Sequence, residues 1–229
     1  MSKEIFNYSI IHHITLERLR HYATMACSTE QGVQHTYLAA RDLTKRGIAG
    51  AFVECGVAFG AQICAMAEAV RGEERQFHLF DSFCGIPMAG IHDHDQPGIG
   101  KHVVDPSLPE RERLVSSGIS SSSVENVKRN LTKHGFGDGY HYHVGWFQDT
   151  VPSSDTGPIA LLRLDGDLYE STKVCLQHLF HRVVPGGCII LDDYPLPGSR
   201  KAWEEFCAAN SVTPEPVIAC DTGAAYFRL

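Results

Sequence analysis

The sequence predicts an α/β fold built on a seven-stranded, mostly parallel sheet that ends in an antiparallel hairpin. From residue 51 onward, short apolar runs alternate with helical segments, which is the pattern of βαβ units. The run 158–165 is the most apolar, as a central strand buried on both faces should be. The chain has 229 residues, the usual length of one α/β domain, so we expect a single domain over 1–229.

The first fifty residues carry helical signals and predict an N-terminal extension over 1–48, ahead of a core over 49–229. Thr15 is placed to cap a helix over 16–27. Ser28 and Gln31 have the spacing of a capping box for a second helix that ends at Gly47. These helices could pack on a neighbouring copy of the chain, so we expect a homo-oligomer.

The remaining elements follow one another without an internal repeat or an interdomain linker. The predicted strands are 51–55, 77–81, 140–144, 158–165, 188–192, 216–220 and 224–229. The predicted helices between them are 60–70, 123–134, 172–183 and 199–209. Pro185-Gly186-Gly187 is interpreted as the end of the third of these helices, and Asp221-Thr222-Gly223 as the turn of the terminal hairpin.

Residues 84–110 are interpreted as a mobile active-site lid. This segment is rich in Gly, Pro, His and Asp and has no periodicity, and a loop this long in a compact domain usually has a function. It contains His92-Asp93-His94-Asp95, and alternating His and Asp can bind transition metals. No supporting ligands stand at fixed offsets, so a solvated lid segment is the favoured interpretation.

Composition excludes several classes of function. The formal net charge is -7, so a nucleic acid would be repelled over most of the surface. No apolar stretch approaches the ~20 residues that cross a bilayer, and the N-terminus lacks the apolar core of a signal peptide. The eight cysteines form no C-x-x-C pair. We therefore expect a cytoplasmic protein with reduced thiols and with neither a membrane nor a nucleic-acid partner.

The segment Glu54-Cys55-Gly56-Val57-Ala58-Phe59-Gly60 joins the first predicted strand to a helix. Ligands of open α/β sheets bind at the carboxyl ends of the strands, and glycine there lets the backbone approach a ligand closely. A dinucleotide site needs G-x-G-x-x-G, whereas only Gly56 and Gly60 are present. Glu54 would repel a pyrophosphate but suits an ammonium group, such as that of S-adenosylmethionine. A tight turn without a ligand is the alternative.

Asp81 stands at the end of the next predicted strand and is followed by Ser82. A carboxylate at this place can accept both ribose hydroxyls of an adenosine cofactor. NAD and S-adenosylmethionine share that ribose, so Asp81 indicates a nucleoside without distinguishing the two. A lone Asp at a strand end also caps helices and turns.

Four carboxylates follow two further predicted strands, Asp165 and Asp167 after one, Asp192 and Asp193 after the other. Carboxylates this close repel one another and take up protons unless a cation lies among them. A hard divalent ion bound by oxygen, Mg²⁺ foremost, is the simplest such cation. Asp165 and Asp192 are predicted to point into the crevice as metal ligands, with Asp193 as the third. Asp167 is then left to act as a base. Loop capping is the alternative for either pair taken alone.

The sequence resembles the macrocin O-methyltransferase (TylF/MycF) family from about Gly50 to the C-terminus. The resemblance rests on five segments in the family's order: 52–57 (FVECGV), 80–87 (FDSFCGIP), 145–152 (GWFQDTVP), 163–172 (RLDGDLYEST) and 185–194, which runs from PGG to DDY. The resemblance implies a Rossmann-like class I methyltransferase fold with S-adenosylmethionine and Mg²⁺ as cofactors. It also implies methylation of a hydroxyl, one of a vicinal pair on the sugar of a small molecule or natural product.

The resemblance also implies roles for individual residues. The implied metal ligands are Asp165, Asp192 and Asp193, and the implied general base is Asp167. The implied cofactor-binding residues are Glu54, Gly56, Asp81, Ser82, Ser123, Trp146 and Asp165. After Val57 the family has a bulky aromatic, a basic residue and a glycine pair where this chain has Ala58-Phe59-Gly60-Ala61, so contacts to the methionine carboxylate are not carried over. The N-terminal helices and the 84–110 loop match poorly, so the identity of the sugar is not carried over.

Other functions stay open at this point. Asp165-Gly166-Asp167 also fits the Asp-x-Asp pattern of metal-dependent glycosyltransferases, although the turn after Glu54 argues against that class. A non-catalytic cofactor-binding protein could keep the fold and lose the chemistry. Against this, a dead site has no reason to retain four mutually repelling acids. An NAD dehydrogenase is disfavoured by Glu54.

Overall fold

The structure is a computed structural model that describes residues 8–93, 107–213, 215–219 and 223–229. Its strands are β1 (Ala51–Cys55), β2 (Phe77–Asp81), β3 (Tyr140–Val144), β4 (Ile159–Leu164), β5 (Val183–Leu191), β6 (Val217–Ile218) and β7 (Ala225–Arg228). They form one sheet in the order β3-β2-β1-β4-β5-β7-β6. β1 to β5 are parallel, and β7 runs antiparallel to both β5 and β6. The predicted seven-stranded sheet with its antiparallel hairpin is confirmed.

The strand order reverses between β1 and β4, at the centre of the sheet. From β1 the chain goes outward to β2 and β3 and then returns to β4 on the other side of β1. Every residue of β1 and β4 is buried, which explains why these strands are almost continuously apolar. Their two charged residues, Glu54 and Arg163, are direct partners in the parallel register. A crevice opens at the carboxyl ends of strands that diverge in this way.

Helices cover both faces of the sheet. They are α1 (His13–Ala23), α2 (Glu30–Lys45), α3 (Ala61–Ala69), α4 (Val124–Lys133), α5 (Phe147–Thr150), α6 (Tyr169–Leu179) and α7 (Pro197–Asn210). Short 3₁₀ helices lie at Tyr8–Ile10, Glu110–Arg113 and Phe180–Arg182. One hydrophobic core packs α1 to α4 against one face, and a second packs α5 to α7 against the other.

The N-terminal helices pack onto α3 of the same chain. Leu19 and Tyr22 of α1 are fully buried. The Tyr22 hydroxyl donates to Glu68 Oε2 at 3.0 Å, and Arg18 Nη1 lies 2.7 Å from Glu68 Oε1. The helical extension that the sequence predicts is therefore present as part of the core, while the homo-oligomer stays a prediction.

Several helix boundaries differ from the predicted ones. α1 begins at His13, so Thr15 lies within its first turn and is not the cap. The cap of α2 is Thr29 and not Ser28, because Thr29 takes the extended cap conformation and accepts from Gly32 N at 3.0 Å. α6 begins three residues earlier than predicted, and α5 was not predicted at all. Helices of one turn have too few residues to show a period.

Pro185-Gly186-Gly187 lies inside β5 and does not end a helix, contrary to the prediction. The register against β4 shifts between Val183 and Cys188. Gly186 N donates to Leu229 O at 2.6 Å, and Leu229 N donates to the next glycine carbonyl at 3.1 Å. The two glycines thus form a β-bulge whose hydrogen bonds are made with Leu229. The Pro-Gly-Gly sequence predicts the end of a helix when it is taken alone, but this distant partner makes it part of a strand.

The predicted lid lies partly outside the described residues. His94, Asp95 and the rest of 94–106 are outside, as are Asp221 and Thr222 of the hairpin turn. The interpretation of the His-Asp cluster as a solvated segment is wrong for Asp93, which is 1% exposed. Among the described residues, seven cysteines are free and no helix is long and apolar enough to span a membrane.

Three histidines lie side by side on one face of β2 and β3. His78 Nδ1 lies 3.0 Å from His143 Nε2, and the His141 ring stacks on the His78 ring with centroids 4.7 Å apart. Burial, together with the neighbouring imidazoles, lowers the pKa of His78 from its ordinary value of 6.5 to about 4. The folded protein therefore keeps His78 neutral over a pH range in which the unfolded chain protonates it.

We expect His78 to destabilise the fold as the pH falls from 6.5 to about 4. In this window the unfolded chain binds a proton that the folded chain does not, so the free energy of unfolding decreases. Above this window His78 is neutral in both the folded and the unfolded chain, so its contribution to the free energy of unfolding no longer changes with pH. Chemical denaturation at neutral pH and at roughly pH 5 should show a smaller loss of stability in His78→Asn than in the wild type. Equal losses in the two proteins would contradict this.

Candidate active site

A cavity opens at the carboxyl ends of β1, β2, β4 and β5, in the crevice where the strand order reverses. The residues that line it are Cys27, Gly56, Ala58, Asp81, Ser82, Gly85, Ile86, Pro87, Ile119, Ser120, Trp146, Phe147, Gln148, Asp165, Gly166, Asp167, Ser171, Asp192 and Asp193. All of the predicted site residues are among them except Glu54 and Ser123. The sheet edge therefore brings together segments that are far apart in the sequence.

Arg163 is the cation that the carboxylates share. It lies on β4, is wholly buried, and stands two residues before Asp165, so the two side chains leave the chain on the same side. Its Nη1 donates to Glu54 Oε1 at 2.9 Å and to Asp165 Oδ2 at 2.6 Å. Its Nη2 lies 2.7 Å from Asp192 Oδ1. One guanidinium thus joins the end of β1 to the acidic segments after β4 and β5.

The site carries more negative charge than Arg163 neutralises. Burial raises the pKa of Glu54 to about 8 in spite of the adjacent guanidinium. Burial and nearby carboxylates raise the pKa of Asp167 to about 8, and they hold the pKa of Asp193 well above its usual range. Without a further cation the site favours proton uptake, and a bound cation would reverse that preference.

A strained turn after β4 brings Asp167 next to Asp193. Asp165 N donates to Cys55 O at 2.8 Å, which extends the pairing of β4 with β1 by one residue. Asp167 then adopts a φ of 60°, in the left-handed region that residues other than glycine rarely occupy. Its backbone N–H donates to Asp193 Oδ2 at 2.7 Å. This bond ties the turn to the segment that follows β5.

Asp165, Asp167 and Asp193 each place a carboxylate oxygen within 4.8 Å of the other two. An all-oxygen set of this kind fits a hard cation such as Mg²⁺. The predicted ligand set, Asp165, Asp192 and Asp193, differs from this group in one member. Asp192 faces Arg163, and Asp167 occupies the third position.

Asp81 organises the glycine turn that follows β1. Its Oδ2 accepts from Val57 N and from Ala58 N, both at 2.8 Å, and its Oδ1 accepts from Phe83 N at 2.6 Å. Burial raises the pKa of Asp81, and these three hydrogen bonds oppose the rise. Both oxygens thus have backbone partners, as in the turn-capping alternative, although the residue also lines the cavity.

Gly56 lies where β1 meets the turn after β4. Its φ is 96°, and a Cβ atom at this position would lie 1.7 Å from the carbonyl oxygen of Asp165. Glycine is required because any side chain would separate the two segments. This contact sets the glycine turn directly against the carboxylate site.

The other predicted residues differ in their placement. Ser82 lines the cavity, and its Oγ donates to a backbone carbonyl at 3.2 Å. Trp146 also lines the cavity and immediately precedes α5. Ser123 is not part of the lining and caps α4 by accepting from Asn126 N at 3.2 Å. Glu54 is buried against Arg163, and its Oε2 has no hydrogen-bond partner among the described residues.

Sequence reasoning missed Arg163 as the cation among the acids. A signal existed, since an arginine in a buried apolar strand needs an anionic partner. Reasoning also missed several wall residues, namely Cys27, Ser120, Phe147, Gln148 and Ser171. Phe147, Gln148 and Ser171 lie in the segments 145–152 and 163–172 that carry the resemblance, but Cys27 and Ser120 carry no local signal, because only the packing of distant segments brings them to the cavity.

This arrangement of fold and site corresponds to a known family. The macrocin O-methyltransferase (TylF) family model matches residues 21–229. The chain belongs to this family. As a macrocin O-methyltransferase family member with methyltransferase structural neighbours, it is an S-adenosylmethionine-dependent O-methyltransferase. The predicted resemblance is confirmed, and the glycosyltransferase and dehydrogenase alternatives are set aside.

Three relatives in the family show the extent of the similarity. The 8-demethyl-8-(2,3-dimethoxy-alpha-L-rhamnosyl)-tetracenomycin-C 4'-O-methyltransferase of Streptomyces olivaceus is 32% identical over 186 residues, covering 80% of this chain and 67% of the relative. Mycinamicin III 3''-O-methyltransferase of Micromonospora griseorubida is 30% identical, with coverage of 80% and 69%. Demethyldecarbamoylnovobiocin O-methyltransferase of Streptomyces niveus is 31% identical, with coverage of 82% and 69%.

Solved structures share the fold. The O-methyltransferase NovP superposes with a TM-score of 0.72 at 28% identity, covering 89% of this chain and 81% of its own. The calicheamicin methyltransferase CalS11 superposes with a TM-score of 0.70 at 20% identity, covering 99% and 88%. The Rossmann-like methyltransferase fold that the resemblance implies is confirmed.

We expect Gly56→Ala to destabilise the fold and to weaken binding of S-adenosylhomocysteine by more than about tenfold. A left-handed alanine costs about 1–2 kcal/mol by itself, and here the Cβ also meets a carbonyl oxygen. Gly47→Ala is the matched control, since Gly47 has a φ of 67° and no atom within 4 Å of its Cβ position. Denaturation should show that only Gly56→Ala loses more stability than a left-handed backbone alone costs. Calorimetry should show that only this variant binds S-adenosylhomocysteine more weakly. Equal behaviour of the two variants would contradict the steric argument.

We expect Arg163→Met to lower the free energy of unfolding at neutral pH by roughly 3–5 kcal/mol, because it leaves the buried Glu54 and the partly buried Asp165 and Asp192 without a counter-charge. The loss should shrink in acid, where those carboxylates are protonated. Arg20→Met removes an exposed ion pair with Glu30 and should cost less than about 1 kcal/mol. Denaturation at two pH values measures both. An Arg163→Met loss as small and as pH-independent as that of the control would refute the shared-cation assignment.

Proposed function

We propose that the protein transfers the methyl group of S-adenosylmethionine to a sugar hydroxyl in a Mg²⁺-dependent reaction. The acceptor is a small molecule or natural product that bears a sugar with two neighbouring hydroxyls. The observation that carries the proposal is the convergence of Asp165, Asp167 and Asp193 inside the cavity. Family membership supplies the reaction class.

Two observations support a sugar as the acceptor. The relative from Streptomyces olivaceus is named for a rhamnosyl-bearing substrate. The cavity wall also includes Ser120, Gln148 and Ser171, whose hydroxyl and amide groups can exchange hydrogen bonds with a polyol. These three side chains are therefore suited to an acceptor that is rich in hydroxyls.

The chain's own residues divide into a metal side and a cofactor side. Asp165 and Asp193 would hold Mg²⁺, and Asp192, whose Oδ1 contacts Arg163, stays the third predicted ligand. Gly56, Asp81, Ser82 and Trp146 would form the cofactor side of the cavity. Glu54 and Ser123 lie outside the lining and stay predicted contacts to the ammonium group and to the adenine. S-adenosylmethionine supplies an electrophilic methyl on a cationic sulfur, and Mg²⁺ supplies a charge that lowers the pKa of a hydroxyl oxygen.

Asp167 is the group that takes the proton of the acceptor hydroxyl. It lies within 4.8 Å of the oxygens of Asp165 and Asp193, so an acceptor held at those residues is also close to Asp167. Burial and the neighbouring carboxylates raise the pKa of Asp167, and a bound cation would lower it again, so that the carboxylate is ionised and able to accept a proton. In the transfer, the acceptor oxygen would bond to the methyl carbon while the C–S bond would break with its electron pair going to sulfur, and Asp167 would take the proton of the hydroxyl.

We expect Asp167→Asn to lower kcat by about 10²–10⁴-fold while leaving the affinity for S-adenosylhomocysteine unchanged. Asp165→Asn should instead weaken Mn²⁺ and Mg²⁺ binding by more than about tenfold. Methyl transfer from labelled S-adenosylmethionine to a panel of vicinal-diol glycosides, with Mg²⁺ or with EDTA, measures the first effect. Calorimetry measures the second.

The control is Asp155→Asn, which changes an exposed carboxylate that accepts from Gly157 N at 3.1 Å, outside the cavity. It should match the wild type in turnover and in metal affinity. Turnover that survives EDTA would remove Mg²⁺ from the proposal, and wild-type kcat in Asp167→Asn would remove the assigned base. A wild-type protein that binds no S-adenosylhomocysteine would refute the proposal as a whole.

A further inference from the structure

The helix that follows the carboxylate turn, α6, lacks a cap of its own. Its N-cap residue, Leu168, has no polar side chain, so the first N–H groups of the helix need partners from elsewhere. Tyr169 N, the first of them, donates to Asp93 Oδ1 at 2.9 Å. Asp93 lies 76 residues earlier in the sequence and is buried. A remote carboxylate thus takes the place of a local cap.

Asp93 is itself held in a short turn. Its Oδ2 accepts from Gly90 N at 3.1 Å, and its own N–H donates to Gly90 O at 3.1 Å. The neighbouring His92 packs on the Tyr169 ring with centroids 4.2 Å apart, and its Nδ1 lies 2.9 Å from Lys201 Nζ on α7. These contacts fasten the turn to both helices, so Asp93 presents its Oδ1 from a fixed position.

The segment that this contact closes contains strained backbone. At its start, Asp165 N is bonded to Cys55 O, and at its end Tyr169 N is bonded to Asp93. Between these bonds Asp167 takes a φ of 60°. A backbone of this kind costs roughly 1–3 kcal/mol and persists only where the surrounding structure over-determines it. Three hydrogen bonds supply this constraint, those donated by the backbone N–H groups of Asp165, Asp167 and Tyr169.

We propose that Asp93 is a positioning residue that holds the far end of the 165–168 turn, so that the Asp165 and Asp167 carboxylates keep their spacing to Asp193. It acts through the backbone of Tyr169 and is not part of the cavity lining. The part of the inference that concerns metal affinity rests on the proposed function. The part that concerns the turn stands on the hydrogen bonds alone.

The test compares Asp93→Ala with Asp93→Asn in the cofactor-free and metal-free protein. Asn keeps an oxygen that can accept from Tyr169 N and removes the charge, whereas Ala removes the acceptor. Hydrogen exchange of the peptide over 165–172 should speed up roughly tenfold in Asp93→Ala and stay within about threefold of the wild type in Asp93→Asn. Mn²⁺ affinity, measured by calorimetry, should weaken by about tenfold in Asp93→Ala only.

Asp155→Ala is the matched control, because Asp155 also accepts a backbone N–H, that of Gly157, but lies outside the cavity. It should change neither measurement. If Asp93→Ala does not fold, Asp93→Ser replaces it, since the serine oxygen stands on a shorter side chain and falls short of Tyr169 N.

Three outcomes would overturn the inference: unchanged exchange over 165–172 in Asp93→Ala, the same acceleration in the control, or equal losses in Asp93→Asn and Asp93→Ala. The last result would mean that the charge of Asp93 acts on the carboxylates through space. A wild-type protein that binds no Mn²⁺ would count against the proposed function alone, and the exchange data would still decide whether Asp93 holds the turn.

Discussion

The buried guanidinium of Arg163 is the interaction on which the rest of the site depends. It contacts carboxylates from three separate segments, Glu54 on β1, Asp165 after β4 and Asp192 after β5. Burying Glu54 without a cation would cost several kcal/mol, and the partly buried Asp165 and Asp192 would add to this cost. The acidic ends of these strands can therefore meet at a common edge only because Arg163 of β4 places a positive charge between their carboxylates. Since Arg163 is wholly buried, salt in solution screens it little.

Arg163 compensates only part of the charge, and the remainder defines what the cavity can bind. Burial holds the pKa of Glu54, Asp167 and Asp193 above their ordinary values, so these acids are stable as anions only with a further cation nearby. A cationic methyl donor and a divalent ion are two ligands of the required sign. Local electrostatic strain of this kind is typical of functional sites, where stability is given up for binding.

Sequence patterns predicted the sheet better than they predicted the site. The bounds of β1, β2 and β3 were predicted correctly because short apolar runs between turn residues are local signals. The Pro185-Gly186-Gly187 bulge was misread because its partner, Leu229, is far along the chain. Arg163 was missed although Asp165 stands only two residues away, and its partner Glu54, 109 residues away, could not be identified from sequence order. Ser123 shows another limit. A serine just before a helix can contact a ligand or cap the helix, and the sequence does not distinguish these two roles.

The paired acids after β5 show why the ligand set could not be fixed from sequence order. Asp192 and Asp193 are adjacent, yet Asp192 pairs with Arg163 while Asp193 accepts from Asp167 N. One carboxylate thus fastens the loop to the buried cation, and its neighbour joins the group that faces the cavity. The same division occurs after β4, where Asp165 contacts Arg163 and Asp167 turns toward Asp193. Each acidic pair therefore has one member that contacts the guanidinium and one that lies among the converging oxygens, and of these four residues only Asp165 belongs to both groups.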